Sequence, residues 1–252
     1  MPNVIGFLSD PANWSGFDGI PTRLLEHLEI CGSALLAALI IGLPIGLLIG
    51  HTGRGATIAI NVANMGRAIP SYALIGIILP FSLGFSPDLG LYVIPTFLAM
   101  TALAIPPILV GAYAGLREVD RDLIEAARGM GLRERQILIG IEIPLAAAVI
   151  VGGIRTAALQ VIATATIGSI VGGGGLGRYI FDGLLLPDLP RLVTGALLVA
   201  ALAIVVDILL AGAQQVITPR SLRTGARAPE PPEIPGEPPP TGARALVRGV
   251  GG

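Results

Sequence analysis

Long stretches of this chain carry no formal charge, and their length restricts the fold more than any other feature. Residues 89–116 form a run of 28 such residues, and residues 30–50 form a run of 21. About 20 apolar residues in an α-helix cross the roughly 30 Å hydrocarbon core of a bilayer. A segment inside that core must satisfy its own backbone hydrogen bonds, which a helix does. The sequence therefore predicts an all-α integral membrane protein.

The same reasoning, applied along the chain, predicts about five transmembrane helices. Charged residues make up 13% of the sequence and hydrophobic residues 53%, whereas soluble domains average about 25% charged residues. Residues 1–29 carry five charges and no apolar core, so we expect an N-terminal tail rather than a cleaved signal peptide. Residues 219–252 are rich in Pro and Arg and are expected to be disordered. The predicted spans are 30–50, 56–85, 89–116, 143–171 and 192–217.

The placement of arginine predicts how the protein sits in the cell membrane. Every basic residue is an arginine, with five in 117–135 and three in 220–227, and none lies near residue 86. Cytoplasmic loops carry an excess of Arg and Lys. We therefore expect residues 117–142, here named the charged segment, and the C-terminus to be cytoplasmic, with the N-terminal tail outside. An odd number of spans agrees with this orientation.

The charged segment has the pattern of a short amphipathic helix. Its apolar residues recur at helical spacing and predict one apolar stripe with charges elsewhere. Gly131 is the predicted C-terminal stop of the helix, and Pro144 is the predicted start of the next span. The stripe is predicted to contain Leu116, Val119, Leu123, Ala126, Ala127 and Met130.

A longer motif within this segment carries a family resemblance. Glu125-Ala126-Ala127 is followed after three residues by Gly131, and after nine more by Ile141-x-Ile143-Pro144. This spacing resembles the EAA loop of ATP-binding-cassette (ABC) importer permeases, which ends in Ile-x-Leu-Pro. Ile143 in place of Leu is the one departure. A Glu-Ala-Ala alone would favour an ordinary solvated helix, but the long spacing between two predicted spans favours the family motif.

Two further stretches narrow the resemblance to a branch of these permeases. Residues 67–71, Arg-Ala-Ile-Pro-Ser, resemble the start of the second span in osmoprotectant and methionine importer permeases. Residues 164–184, TATIGSIVGGGGLGRYIFDGL, are similar to the end of the fourth span and its following loop in the glycine betaine/choline/carnitine branch. The resemblance implies the type I importer permease fold, as in methionine importers.

The resemblance also implies a function and a set of partners. It implies a permease subunit that works with a second permease, identical or a sister chain, with two ABC ATPase subunits and with an extracytoplasmic substrate-binding protein. The implied substrate is an osmoprotectant such as glycine betaine, choline or carnitine. A methionine-type importer and a membrane scaffold without a transport cycle remain alternatives. The residues implied to couple to the ATPase are Glu125, Ala126, Ala127, Gly131, Ile141 and Pro144.

Other residue patterns argue against an enzyme, a bound cofactor or a nucleic-acid partner. The chain has no lysine and so no Walker Gly-Lys-Ser/Thr, which assigns ATP and Mg²⁺ to the partner ATPase. Gly172-x-Gly174-x-x-Gly177 matches the dinucleotide pattern but follows a membrane span instead of a strand. The remaining readings of this glycine run are a flexible loop or close backbone packing. One cysteine and two histidines offer no metal cluster, and the net charge of −1 shows no basic excess for nucleic acid.

Charged residues within or beside apolar spans are the remaining candidates for function. A charge inside a membrane is costly, so each should face a partner or a water-filled path. Arg155 and Asp207 could pair, and structural pairing is favoured over contact with substrate. A tight site for a quaternary ammonium usually uses a cage of aromatic side chains. Because aromatic residues make up only 4% of the sequence, we expect that site on the separate binding protein. The residues predicted for the translocation path or for interhelix pairing are Arg67, Pro70, Ser71, Arg155 and Asp207.

Overall fold

A computed structural model describes residues 3–57, 60–61, 64, 70–85 and 93–217. These residues form helices joined by short connections, without a strand among them, which confirms the predicted all-α class. Short 3₁₀ helices cover Pro11–Trp14 and Ser169–Val171, and a π-helical turn covers Leu138–Glu142. The α-helices are α1 (Val4–Ser9), α2 (Ile20–Thr52), α3 (Ser71–Phe85), α4 (Val93–Arg117), α5 (Arg121–Gly129), α6 (Glu134–Ile137), α7 (Ile143–Gly168), α8 (Gly177–Leu185) and α9 (Leu189–Ile217).

Helices of membrane-spanning length correspond to four of the five predicted spans. Within the described ranges, the stretches long and apolar enough to cross a bilayer are Ile20–Thr52, Val93–Arg117, Glu134–Val171 and Leu189–Ile217. Helix α3 is shorter, at 15 residues, and covers the end of the predicted second span, 56–85. Much of the rest of that span, including Arg67, lies outside the described residues, as does the predicted tail 219–252.

Helix α2 starts at Ile20, well before residue 30, where the first span was predicted to begin. This first part contains Arg23, Glu26 and Glu29. Arg23 forms ion pairs with Asp18 and Glu26, the latter at 2.8 Å, and Glu29 is exposed. Part of the predicted N-terminal tail is therefore helical.

Helices α2 and α4 pack closely through glycines spaced four residues apart. A Cβ at Gly46 would lie 2.6 Å from the Leu109 carbonyl oxygen, and one at Gly42 would lie 3.1 Å from that of Ile105. Gly50 continues the same face one turn later. Small residues at this spacing let membrane helices approach to backbone contact. The stripe therefore sets the distance between α2 and α4.

Helices α4 and α7 meet in the same way. A Cβ at Gly153 would lie 2.6 Å from the Pro107 carbonyl oxygen, and one at Gly111 would lie 2.8 Å from the Gly153 Cα. Around this contact, the buried Met100, Ile108 and Val161 belong to one apolar cluster that joins α2, α4 and α7. Helix α4 is thus the centre of the described bundle.

The glycine loop, residues 172–177, packs against α2. Gly175 has φ +84°, and its N–H donates to the Glu26 carboxylate at 2.8 Å. A Cβ at Gly174 would collide with the same carboxylate, and one at Gly175 would lie 3.0 Å from His27 Nδ1. Of the two readings of the glycine run, the structure supports close backbone packing.

We predict that Gly153→Ala lowers the free energy of unfolding by about 1–3 kcal/mol, because the added methyl meets backbone atoms that cannot move aside. Denaturant unfolding of the purified chain in detergent, followed by circular dichroism, measures this change. Gly212→Ala in α9 is the matched control, since a Cβ there has nothing within 4 Å. Equal stability of the two variants would contradict the close contact between α4 and α7.

Candidate functional site

Helix α5 carries the Glu-Ala-Ala motif, and its two ends are fixed by local hydrogen bonds. The Asp120 side chain caps its start by accepting from the Asp122 N–H at 2.9 Å. At its end, Gly131 adopts φ +84°, where the sequence predicted the stop. The Leu132 N–H donates to the Ala127 carbonyl and the Gly131 N–H to that of Arg128. This pair of bonds is the Schellman arrangement and ends the helix sharply.

The single apolar stripe predicted from Leu116 to Met130 is wrong. Helix α4 ends at Arg117 and α5 begins afresh at Arg121 because Asp120 caps a new helix. Leu116 and Val119 are buried in a cluster with Ala112, Ala146 and Ile150.

The residues of α5 itself divide between two faces. Ala127 is 1% exposed and faces inward, whereas Leu123 is 43% exposed and Met130 is 74% exposed. Ala126 is also exposed, and Leu123, Ala126 and Met130 share one face at spacings of three and four residues. Glu125 is exposed as well. The part of the motif that is free for contact is therefore an apolar strip with a carboxylate beside it.

The rest of the charged segment is helical where a loop was predicted. From Glu134 the chain forms one continuous helical path to Val171. It widens at the π-helical turn Leu138–Glu142, where the Ile143 N–H donates to the Leu138 carbonyl. Pro144 lies in the first turn of α7 and has no N–H to donate, which accounts for the changed register. Ile141 is half-buried in the π turn.

Charged side chains link α5 to the neighbouring helices. The Arg128 guanidinium donates to both Glu134 carboxylate oxygens at 2.8 and 3.0 Å. This hydrogen bonding raises the pKa of the Arg128 side chain above its ordinary value. Glu134 also lies 3.2 Å from His51 Nε2, at the end of α2. His51 Nδ1 lies 2.5 Å from Glu142, whose side chain is buried.

A cavity of about 50 Å³ lies beneath α5, beside these charges. Its lining includes His51, Arg117, Arg121, Glu125, Arg128 and Glu142. His51 directly follows the predicted span 30–50 and Glu142 is the last residue of the charged segment, but sequence reasoning missed their contact. No spacing rule links two residues 91 positions apart.

A second, larger cavity of about 500 Å³ lies between α2, α4, α7 and the glycine loop. Glu26 and Glu29, Thr96 and Phe97 contribute to its lining. Carboxylates and an aromatic ring are groups that suit an organic cation. Glu26 and His51 are separated by about 38 Å along α2 at the usual helical rise, so this cavity and α5 lie at opposite ends of that helix.

Arg155 and Asp207 join α7 to α9 within the apolar part of the bundle. Both guanidinium-to-carboxylate hydrogen bonds are present, with Nη2 2.6 Å from Oδ2. About one third of each side chain is exposed. Nearby on the same two helices, the Gln214 side chain donates to the Ala148 carbonyl at 2.7 Å. The structure therefore forms the pair that sequence reasoning favoured.

Pro70 and Ser71, which were also predicted for a path, form no hydrogen bond with this pair among the described residues. Pro70 is exposed just before α3, where its carbonyl accepts from the Leu74 N–H, and Ser71 is the first residue of α3. Arg67 lies outside the described residues. Their place on a path stays a prediction. Across the described ranges, no group of three or more His, Cys, Asp or Glu side chains could hold a metal ion.

Comparison with known proteins identifies similar membrane components. The family model for "Binding-protein-dependent transport system inner membrane component" matches residues 42–223. The carnitine transport permease protein OpuCB of Listeria monocytogenes is 38% identical over 79% of this chain and 88% of its own length. The choline transport system permease protein OpuBB of Bacillus subtilis is 35% identical over 80% and 89%. The osmoprotectant import permease protein OsmW of Salmonella typhimurium is 38% identical over 88% and 100%.

Among solved structures, the inward-facing MetNI methionine ABC transporter contains a similar chain. The TM-score is 0.73, with 84% of this chain and 100% of that chain covered. Because the sequence identity is 22%, this likeness concerns the fold. It confirms the predicted type I importer permease architecture.

We predict that Asp207→Leu lowers the thermal unfolding midpoint of the purified chain in detergent, because Arg155 then remains charged in an apolar setting without its partner. The double variant Arg155→Leu/Asp207→Leu should be more stable than Asp207→Leu alone, since it removes both charges. Thermal unfolding followed by circular dichroism compares the two. Purely additive losses would show that the two side chains do not depend on each other.

Proposed function

Because the chain belongs to the family of binding-protein-dependent transport system inner membrane components, we propose that it is the membrane-spanning permease subunit of an ATP-driven osmoprotectant importer. Three similar proteins are named for carnitine, choline and osmoprotectant import, at 35–38% identity over most of the chain. The observation that carries the proposal is the free face of α5, which presents the family motif at one end of the bundle. Its substrate is glycine betaine, choline, carnitine or a related quaternary amine.

Helix α5 is the docking element for an ATPase subunit. Leu123, Ala126 and Met130 form an exposed apolar strip, and such a strip fits a groove on a partner. Glu125 and the other charges on α5 set the orientation of the contact. Two permeases would bind two ATPases, which hold the ATP and Mg²⁺.

The chain beyond α5 is built to pass on a displacement. The Schellman turn at Gly131 leads directly into the helical path Glu134–Val171. A packed helix moves as a body, whereas a loop would absorb a push. Movement of α5 would therefore shift α7 and, through the glycine contact at Gly153, α4.

The remaining parts of the importer follow from the arginine distribution and the composition. The arginines of 117–135 support a cytoplasmic α5, within reach of the ATPases, and an N-terminus outside. A second permease, identical or a sister chain, completes the translocation path within the lipid bilayer. A separate extracytoplasmic binding protein selects the substrate and delivers it, since aromatic residues for a tight cage are scarce here.

The substrate class can be tested in proteoliposomes that contain this permease with its ATPase and binding protein. We expect ATP-dependent accumulation of labelled glycine betaine, reduced by an excess of unlabelled choline or carnitine and unaffected by methionine. Competition by methionine would identify a methionine-type importer instead. Absence of ATP-dependent uptake of any of these solutes would support a scaffold without a transport cycle.

Coupling to the ATPase can be tested at Gly131. We predict that Gly131→Val lowers substrate-stimulated ATP hydrolysis at least about tenfold, because a β-branched residue is strained by about 1–2 kcal/mol in the left-handed conformation. A Cβ at Gly131 has nothing within 4 Å, so the change acts on the backbone alone.

Gly131→Asn is the matched control, because asparagine tolerates the left-handed region and should retain most of the stimulation. Both variants should insert into membranes at wild-type levels. Equal stimulation in Gly131→Val and wild type would contradict a role for this turn in coupling.

A further inference from the structure

We propose that His51 is a positioning residue that ties α2 to the charged segment, so that movement of α5 reaches two membrane helices instead of one. This inference rests on the proposed function, in which a partner ATPase displaces α5. His51 is the second-last residue of α2, and its side chain is 12% exposed. Its two ring nitrogens face two different carboxylates.

Each of these carboxylates belongs to a different part of the charged segment. His51 Nδ1 lies 2.5 Å from a carboxylate oxygen of Glu142, in the π-helical turn. His51 Nε2 lies 3.2 Å from a carboxylate oxygen of Glu134, in α6. Within the described part of the chain, the hydrogen bonds and ion pairs between α2 and the charged segment all involve His51. The imidazole is therefore the polar connection between these elements.

The connection continues to α5 through Arg128. Its guanidinium holds the Glu134 carboxylate with two hydrogen bonds, so Glu134 is shared by α5 and α2. A displacement of α5 reaches α7 along the chain and reaches α2 across space through Glu134 and His51. Apart from His51, the end of α2 packs on α4, where Gly50 contacts Leu116.

The contact uses both ring nitrogens of the imidazole. Each nitrogen can take part in a hydrogen bond, so one side chain bridges two glutamate side chains. Glu142 is 3% exposed, and a buried carboxylate needs a charged or donating partner. His51 supplies that partner: it is the hydrogen-bond partner that the structure gives Glu142 within the described residues.

The wider surroundings of His51 contain charges of both signs. Besides the contacts with Glu134 and Glu142, His51 lines the 50 Å³ cavity together with charged side chains from α4 and α5. The further charged groups around the cavity are Arg117, Arg121, Glu125 and Arg128.

The test uses the complete importer in proteoliposomes and measures substrate imported per ATP hydrolysed. We expect His51→Gln to lower this ratio about fivefold, a size typical of a residue that transmits coupling. Arg54→Gln is the matched control: it removes a charge just beyond the same end of α2, where Arg54 is exposed and has no ion pair within the described residues. The control should keep the wild-type ratio.

Comparison of ATP hydrolysis with transport separates positioning from a general structural role. In His51→Gln the amount of assembled importer and its basal ATP hydrolysis should stay at wild-type levels, while the substrate imported per ATP falls. A wild-type ratio in His51→Gln, or an equal loss in Arg54→Gln, would overturn the proposal.

A double-mutant cycle with Glu142→Gln provides the second measurement. If the two residues act through each other, the double variant should be no worse than the more impaired single variant. Additive losses would overturn the inference. Should His51→Gln fail to assemble, Glu142→Gln alone still tests the contact, because it changes the carboxyl group and keeps the shape of the side chain. It should lower the substrate imported per ATP, and an unchanged ratio would overturn the inference. If the wild-type importer transports substrate and His51→Gln and Glu142→Gln keep its ratio of import to ATP hydrolysis, this inference is overturned and the proposed function stands.

Discussion

The bundle depends on the absence of water from the hydrocarbon core of the membrane. There, each polar group needs a hydrogen-bond partner within the protein, and moving an apolar side chain from lipid into the protein gains little free energy. Helices therefore associate through close backbone packing and through polar contacts. The glycines that face α4 from α2, together with Gly153 on α7, provide the close packing, and they define how α2, α4 and α7 fit together. The Arg155–Asp207 pair and the Gln214 side chain then hold α9 to α7 by polar contacts.

The two ends of α2 are anchored in different ways, and this difference fits different tasks. Near its start, Glu26 accepts from the backbone of the glycine loop, whose tight packing leaves no room for side chains. Near its end, His51 meets two glutamate side chains beside a small polar cavity. The contact at the start thus involves a backbone N–H, and the contact at the end is made by side chains alone. In the proposed function, the end held by side chains lies beside the helix that would dock to the ATPase.

Much of this fold could be predicted because charge-free runs are long and local. The third span follows directly from such a run. The fourth and fifth are apolar runs interrupted only by Arg155 and Asp207, which could be paired because each stands alone. The start of α2 was missed because Arg23, Glu26 and Glu29 interrupt the apolar pattern, although helical spacing brings Glu26 beside Arg23. Helix α8 was missed because its nine residues are too few to form a long apolar run, and because they follow a run of glycines.

The candidate site shows the same division between local and long-range information. The end of α5 was predictable, since a glycine in the left-handed conformation is a local requirement. Its exposed face was not, because the cap at Asp120 turns the helix and splits a stripe that looks continuous in sequence. The contact of His51 with Glu142 depends on helix packing, since the glycines of α2 set how far its end reaches along α4 and α7. Geometry fixed by small residues within the membrane therefore determines which charges can meet outside it.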